Sequence, residues 1–201
     1  MPAKTSFRTI GRVRSPFRHP SDISPEILAS PKAFDDIEGE IRIHKRYADG
    51  LKDIDGFSHL IVIFAFHKAG PPKLLSLPPG QTERRGVFAT RSPHRPGGIG
   101  MTVVRLLGRN GAVLRIAGVD MIDGTPVLDI KPYTSRDRKI DIRQGWREEA
   151  GGTIRARSRR VKVPKQAALP AVPEQELPGS KGPGDPRRKN RAPSRSAGRR
   201  S

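Results

Sequence analysis

The strongest constraint on the fold is a β-hairpin signal at Asn110 and Gly111. Apolar segments at residues 102–107 and 112–119 flank this dipeptide, and an Asn-Gly connection favours a tight antiparallel turn. Residues 40–44 alternate in polarity, whereas residues 60–66 are continuously apolar and predict a strand buried on both faces. Many short strands with tight turns predict an all-β fold with minor α content, a β-barrel that is closed or nearly closed. Short helices are expected only at 48–54 and 145–150.

The composition changes at about residue 151, which divides the chain into two regions. Residues 151–201 carry 14 Lys and Arg against 3 Asp and Glu, whereas residues 1–150 carry 25 against 17. The second region is rich in Pro, Gly, Ser and Arg and has few large apolar residues, so it cannot offset the entropy of ordering its backbone. We therefore predict a barrel domain at 1–150 and a basic, largely disordered tail at 151–201.

Positive charge dominates the chain, whose formal net charge is +19. Such a surface attracts polyanions and releases counterions when it binds phosphate, so RNA is the natural partner. A basic tail alone could equally bind an acidic protein or a membrane surface. The chain has no cysteine, no apolar run long enough to span a bilayer and no apolar leader, which together predict a cytoplasmic protein without a membrane segment.

Residues 86–100, with the sequence GVFATRSPHRPGGIG, form a turn-rich loop. Its first apolar residues predict a short strand at 87–89, which is followed by two arginines, two prolines and three glycines. Prolines restrict the backbone, and glycines allow backbone N–H groups to approach a ligand closely. Arg91 and Arg95 on a rigid loop predict a positively charged ligand site, and the alternative is an ordinary surface turn.

Five short motifs occur in order within residues 5–140. They are IGRVRSPF at 10–17, GFSHL at 56–60, FAFH at 64–67, the loop at 86–100, and GVDMIDGTPVLDIKPY at 118–133. On these motifs the chain resembles the TsaA-like family of S-adenosylmethionine-dependent tRNA methyltransferases. It departs from the family at Gly97 and Gly98, where Asn-Pro is usual, and this difference predicts a more flexible loop.

The resemblance implies a single-sheet barrel, unlike the doubly wound sheet of most methyltransferases, and a homodimer. It also implies methylation of N6 of the threonylcarbamoyl-adenosine beside the anticodon, with S-adenosyl-L-methionine as the donor. Arg91 would hold the methionyl carboxylate through a bidentate guanidinium contact, or it is simply an exposed turn residue. The cofactor contacts implied by the resemblance are Ser24, Pro25, Glu26, His67, Lys68, Arg91, Met101, Ala117, Gly118, Val119 and Asp120.

Asp129, Lys131 and Tyr133 alternate along a predicted strand and therefore share one face of it. An acid, a base and a phenol side by side could deprotonate or orient an exocyclic amine, with Tyr133 stacking on a base. We predict these three as the catalytic residues. The alternative is a polar outer face that contains an Asp–Lys pair.

Two functional hypotheses follow. The first is a methyltransferase with tRNA as its acceptor, and the second is a non-catalytic basic RNA-binding barrel that keeps the family fold.

Three groups of polar residues remain. Asp120 is suited to bind ribose hydroxyls or a sulfonium. Asp123 could bind the same groups, or it could simply form a turn with Gly124. His19, His44 and His94 lack metal-ligand spacing, so no metal is expected.

Overall fold

The computed structural model describes residues 6–24 and 32–149. The strands are β1 (Gly11–Arg14), β2 (Glu38–Ile43), β3 (His59–Ala65), β4 (Leu75–Ser76), β5 (Arg85–Gly86), β6 (Ile99–Asn110), β7 (Val113–Ala117) and β8 (Pro126–Pro132). Turns of 3-10 helix cover Pro20–Asp22, Lys45–Leu51, Ile54–Gly56 and Val87–Ala89, and among the described residues one short α-helix, α1, covers Trp146–Glu149.

Six of these strands form a closed barrel in the order β1-β2-β7-β6-β3-β8. Every neighbouring pair is antiparallel, and β1 closes the barrel by pairing with β8, where Gly11 lies opposite Val127. The short strands β4 and β5 form a separate two-stranded sheet. The predicted all-β, single-sheet barrel is confirmed for the described part of the chain.

The barrel core comes from the inward face of each strand. Strand β3 alternates strictly, with Leu60, Val62 and Phe64 buried and the residues between them only half-buried. The prediction that this strand is buried on both faces was therefore wrong for the outward face, because the barrel interior lies on one side only. Apolar side chains from the other strands complete the core: Val13, Ile41, Ile43, Val104, Leu114, Ile116 and Val127.

The β6–β7 hairpin is shifted by one residue from the sequence prediction. Asn110 pairs with Val113, so the two loop residues are Gly111 and Ala112. Gly111 has φ 57, whereas Asn110 stays outside the left-handed region. Glycine at the first loop position is typical of a type II′ turn, which matches the twist of the two strands.

The short helical and strand predictions had mixed outcomes. The segment at 48–54 falls in two 3-10 turns rather than an α-helix. Of the fragment predicted at 145–150, residues Trp146–Glu149 form α1, and residue 150 lies outside the described part of the chain. Residues 87–89 form a 3-10 turn instead of a strand, with Val87 buried and Phe88 exposed. The predicted tail at 151–201 lies outside the described residues.

Antiparallel order brings every second connection to the same end of the barrel. The β1–β2, β3–β6 and β7–β8 connections meet at one end, here called the motif end and represented by residues 15–24, 66–98 and 118–125. The β2–β3 connection and the β6–β7 turn lie at the opposite, hairpin end. Topology therefore gathers motifs that are far apart in sequence.

Candidate functional site

Hydrogen bonds join the three connections at the motif end. The backbone N–H of Ser15 donates to Asp123 Oδ1 at 3.0 Å, and the N–H of Asp123 donates to the Phe17 carbonyl at 2.6 Å. The Lys68 ammonium donates to the carbonyl of Arg18, which joins the β3–β6 connection to the first loop. Asp123 thus joins the β7–β8 connection, in which it lies, to the β1–β2 connection.

The two arginines of the 86–100 loop have different surroundings. Arg95 Nη2 donates to the carbonyls of Val87 and Thr90, both at 2.9 Å, so this guanidinium holds the loop together from inside. Arg91 is exposed, and its charge acts on Asp120. Of the two guanidiniums, Arg91 is therefore the better placed to bind a ligand, a division that sequence spacing did not reveal.

Asp120 lies three residues after the end of β7, and its carboxyl is close to Thr102 in the first half of β6. Thr102, which points inward from β6, hydrogen-bonds its carboxyl, but Oδ1 is buried with no hydrogen-bond partner among the described residues. Burial raises the pKa of Asp120, and the Thr102 contact, its own backbone N–H and the Arg91 charge only partly oppose the rise. A buried carboxylate oxygen without a partner costs free energy, so it is a strong candidate to accept a hydrogen bond from a ligand.

A basic cavity of about 400 Å³ opens at the same end. Arg14, Arg18, His19, Lys68 and Asp123 line it, so four of its five side chains are basic. Asp123 offsets only part of this charge, through Arg14 Nε at 3.6 Å. A cleft with this surplus of cations suits a phosphate or carboxylate group.

His67 ends the FAFH motif at the rim of the barrel. Its Nδ1 lies 3.5 Å from Thr125 Oγ1. Partial burial lowers the pKa of His67, and the charges of Lys68 and Arg12 act in the same direction, whereas Asp123 opposes them. A lowered pKa keeps the ring neutral near pH 7, so His67 is able to accept as well as donate a hydrogen bond.

The predicted cofactor segment at 117–120 does not present all of its side chains to a ligand. Ala117 and Val119 are buried in or beside the core. The N–H groups of Gly118 and Val119 both donate to the carbonyl of Ile37. Among these residues, Asp120 is therefore the one whose side chain is available for recognition.

The remaining predicted cofactor contacts are dispersed. Met101 points outward from β6 and is 55% exposed. Ser24 is half-buried at the end of the first described segment, and Pro25 and Glu26 lie outside the described residues. Gly98 adopts φ 58, a conformation closed to proline, so the Gly97-Gly98 departure gives this loop a path that Asn-Pro could not follow.

Asp129 and Lys131 share the outer face of β8, as alternation predicts, while Ile130 packs against the core. Tyr133 follows the last residue of the strand, where its N–H donates to the His59 carbonyl at 3.0 Å. Asp129 and Lys131 form an ion pair at 2.5 Å. Asp129 lies opposite Ile63, which in turn lies opposite Met101, so these residues share one row of the outer surface. Tyr133 is four residues further towards the hairpin end, about 13 Å along the strand, where its ring contacts His59.

Sequence reasoning missed Trp146, which fastens the 86–100 loop from a distance. Its indole Nε1 donates to the carbonyl of Ala89 at 2.9 Å. The guanidiniums of Arg85 and Arg147 lie 5.8 and 5.0 Å from the centre of its ring. As the one tryptophan of the chain it was conspicuous, but no local pattern linked it to a residue 57 positions earlier.

Within residues 6–24 and 32–149, no group of three or more His, Asp or Glu residues is arranged to hold a metal ion. The same residues contain no helix that is both long and apolar enough to cross a bilayer. Among the described residues, the carboxylates and imidazoles at the motif end are therefore not arranged as the ligands of one metal ion.

Comparison with known proteins gives matches to the barrel. The family model described as the tRNA-methyltransferase O N-terminal domain matches residues 12–138. A probable S-adenosyl-L-methionine-binding protein of Pyrococcus abyssi is 45% identical over 150 residues, which cover 74% of this chain and 79% of the relative. The tRNA (adenine(37)-N6)-methyltransferase of Escherichia coli is 35% identical over 142 residues, covering 63% of this chain and 57% of that enzyme.

A solved structure agrees with these matches. The crystal structure of TrmO from Pseudomonas aeruginosa superposes with a TM-score of 0.55 at 36% identity, covering 71% of this chain and 62% of that one. The chain thus spans about three-fifths of the TrmO chain and somewhat less of the Escherichia coli enzyme. Because the family model matches more than half of its residues, this chain belongs to the family of the tRNA-methyltransferase O N-terminal domain.

Proposed function

We propose that the protein is an S-adenosyl-L-methionine-dependent tRNA methyltransferase that methylates N6 of adenosine 37. Its acceptor is the threonylcarbamoylated form of that base. The single observation that carries the donor part of the proposal is the buried Asp120 Oδ1, which lacks a hydrogen-bond partner among the described residues and whose carboxyl is affected by the charge of Arg91. The acceptor part is supported by the similarity to the tRNA (adenine(37)-N6)-methyltransferase of Escherichia coli. A carboxylate acceptor and an exposed guanidinium suit a ligand that has hydroxyl groups at one end and a carboxylate at the other.

S-adenosyl-L-methionine fits this donor set and, when bound, supplies an electrophilic methyl group. Arg91 would bind its carboxylate, and Asp120 would accept hydrogen bonds from its ribose hydroxyls. His67 and Lys68, at the rim beside the basic cavity, would contact its polar groups. Ser24, Pro25, Glu26, Met101, Ala117, Gly118 and Val119 remain predicted contacts, of which Ala117 and Val119 could contribute only backbone groups.

We further propose that Asp129, Lys131 and Tyr133 act on the acceptor RNA. Asp129, beside Lys131, would accept the proton that N6 loses, and Tyr133, about 13 Å further along the strand, would stack on a base. Their common face with Met101 supports this assignment, since Asp129 and Met101 lie in one row across β3. The alternative, an Asp–Lys pair on a polar face, agrees with the short ion pair as well. Kinetics of single variants separate the two assignments.

The acceptor RNA would bind through positive charge. The basic cavity at the motif end is suited to backbone phosphates, and residues 151–201 add 14 Lys and Arg.

Deletion of residues 165–201 tests the contribution of the tail. It should raise the KM for tRNA, with little change in kcat. It should also flatten the salt dependence, because each lost phosphate contact takes about 0.7–0.9 from the log–log slope. Methylation curves at two salt concentrations test this, and identical curves would contradict a role for the tail in RNA binding.

We also propose that the protein forms a homodimer in the cytoplasm. Outward-facing apolar side chains on β3 and β6 support dimerisation, because Ile61 lies opposite Val103 and Ile63 opposite Met101. The same rows continue to Lys131 and Asp129 on β8, so the second subunit would complete the groove for the acceptor. Val103 is 41% exposed, and a contiguous apolar surface of this kind is typical of an interface. The absence of cysteine suits a reducing compartment.

Nucleoside mass spectrometry tests the proposed reaction. Purified protein is incubated with S-adenosyl-L-methionine and tRNA, with and without the threonylcarbamoyl group, and the nucleosides are analysed for a new methyl group. Methylation of the modified adenosine is the expected result. Tight RNA binding without methyl transfer, together with no heat on titration of S-adenosyl-L-methionine, would support the non-catalytic RNA-binding alternative.

A further inference from the structure

Phe88 is held in an exposed position by a well-anchored turn. Its side chain is 80% exposed, although the preceding Val87 is only 1% exposed and fixes the turn in the protein. The carbonyls on either side of Phe88 are occupied: the Val87 carbonyl accepts from Arg95 and Thr90, and the Ala89 carbonyl accepts from Trp146. The backbone that carries this ring is therefore immobilised by contacts on both sides.

The position of the ring links it to the proposed methyl-donor site. Arg91 is three residues beyond Phe88 on the same loop, and its charge acts on Asp120. A group stacked on the ring would therefore lie on the loop that carries the proposed carboxylate ligand of the donor. The target base of the RNA must come close to the methyl donor, so a ring at this position on the loop is suited to contact that base.

The connection that carries the ring is also basic in sequence, which favours a nucleic acid as its partner. Residues 66–100 contain six Lys and Arg and one acid, Glu83, which is already paired with Arg85 at 2.8 Å. A polyanion with exposed aromatic bases matches both the positive charge and the exposed ring.

We propose that Phe88 is a stacking platform for the target adenine of the tRNA, after that base has left the anticodon-loop stack. The inference rests on the proposed function and identifies how the acceptor base is recognised. Aromatic side chains hold unstacked RNA bases in this way, and such stacking is sequence-tolerant because every base has a π face. Arg95 and Trp146 serve as positioning residues, because they hold the turn and not the base.

A double-mutant cycle between the protein ring and the RNA base tests the platform. Binding of an anticodon stem-loop RNA is measured by fluorescence anisotropy, with the target adenosine intact or replaced by an abasic nucleotide. Phe88→Ala should weaken binding of the intact RNA by about 5- to 150-fold, the range for loss of one stacked base. Binding of the abasic RNA should change little, and Phe88→Trp should restore the affinity for intact RNA.

Leu77→Ala is the matched control, because Leu77 is an exposed apolar residue beside the neighbouring β4–β5 sheet and cannot stack on a base in the same way. It should leave both affinities unchanged. Equal losses for the two RNAs with Phe88→Ala, or no loss for either, would overturn the platform. So would a loss of S-adenosyl-L-methionine affinity on titration, or a change in oligomeric mass by light scattering. Failure of the proposed reaction is recognised separately, as absence of methyl transfer by the unmodified protein.

Discussion

The two ends of the barrel use their arginines differently. At the hairpin end, Arg109 Nη1 donates to the Leu51 carbonyl and Nε donates to the Gly111 carbonyl, both at 2.8 Å. The same side chain also lies 3.8 Å from Asp55, so its hydrogen-bonding capacity serves the fold. At the motif end, Arg95 does equivalent work, but Arg91 remains exposed near a buried carboxylate.

The difference shows how one fold separates stability from recognition. An arginine bound to backbone carbonyls closes a turn, and these bonds fix its guanidinium in place rather than leaving it exposed to a ligand. The motif end instead keeps exposed cations and a buried carboxylate oxygen without a partner among the described residues, an arrangement that costs stability and is useful only when a ligand supplies the missing contacts.

The largest effect is expected on the outer face of β8, which belongs to neither end. If Asp129 accepts the proton from N6, Asp129→Asn should lower kcat by about 10²- to 10⁴-fold, the usual contribution of a general base. Tyr133→Phe should lower kcat less, and both variants should keep their affinity for S-adenosyl-L-methionine. The measurement is steady-state tRNA methylation, with the exposed Asp141→Asn as control. A parent rate in both variants would reduce this constellation to an ordinary strand face.

The contrast between the two ends predicts opposite outcomes for two arginines. Arg91→Ala should weaken S-adenosyl-L-methionine binding by roughly 10- to 100-fold, because a charge-assisted hydrogen bond contributes about 1.5–3 kcal/mol. Arg109→Ala should leave that affinity unchanged and lower the melting temperature, since it leaves two carbonyls without their donor. Calorimetric titration and thermal unfolding of both variants provide the test. An unchanged dissociation constant for a folded Arg91→Ala would remove Arg91 from the cofactor site.

A smaller effect is expected on the pH dependence of stability, to which the buried carboxyl of Asp120 contributes. Because the pKa of Asp120 is raised in the folded state, the folded protein holds this proton more tightly than the unfolded chain does. Its contribution to stability is therefore present at low pH and is lost as pH rises from the ordinary value of 3.8 through the raised pKa. Asp120→Asn removes this pH-dependent loss of stability, because an amide does not ionise.

The advantage of Asp120→Asn in melting temperature should therefore grow as pH rises from the ordinary value of 3.8 through the raised pKa of Asp120, while the variant binds S-adenosyl-L-methionine more weakly. Thermal unfolding across this range measures the first effect, and titration measures the second. The exposed Asp36→Asn is the matched control and should show neither. A pH-independent difference would mean that the carboxyl is not desolvated in the folded protein.

The smallest effect is expected from the anchor of the motif loop. Trp146→Phe keeps an aromatic ring but removes the donor to the Ala89 carbonyl. A net loss of about 0.5–1.5 kcal/mol should loosen the loop and reduce S-adenosyl-L-methionine affinity by a few fold. Titration calorimetry would detect this change, and wild-type affinity in the variant would show that the loop is fixed without the indole.

Local patterns in the sequence predicted the barrel well. Alternation in β2, the apolar run of β3 and the turn signal before β7 depend on residues close together in the chain, so they can be recognised without knowledge of the fold. The same local reasoning misplaced the hairpin by one residue and took the 87–89 turn for a strand. Both errors arise because pairing partners decide register and pleat, and those partners lie on other strands.

By itself, the sequence determined an all-β body, its basic charge, the family motifs and the candidate status of Arg91 and Asp120. Tertiary structure alone decided that Arg95 holds the loop while Arg91 stays exposed, and that Asp120 Oδ1 is buried with no partner among the described residues. It also placed Trp146 against Ala89, a contact across 57 positions. The physical reason is that burial and hydrogen-bond partnership are set by residues distant in sequence, whereas periodicity and turn chemistry are local.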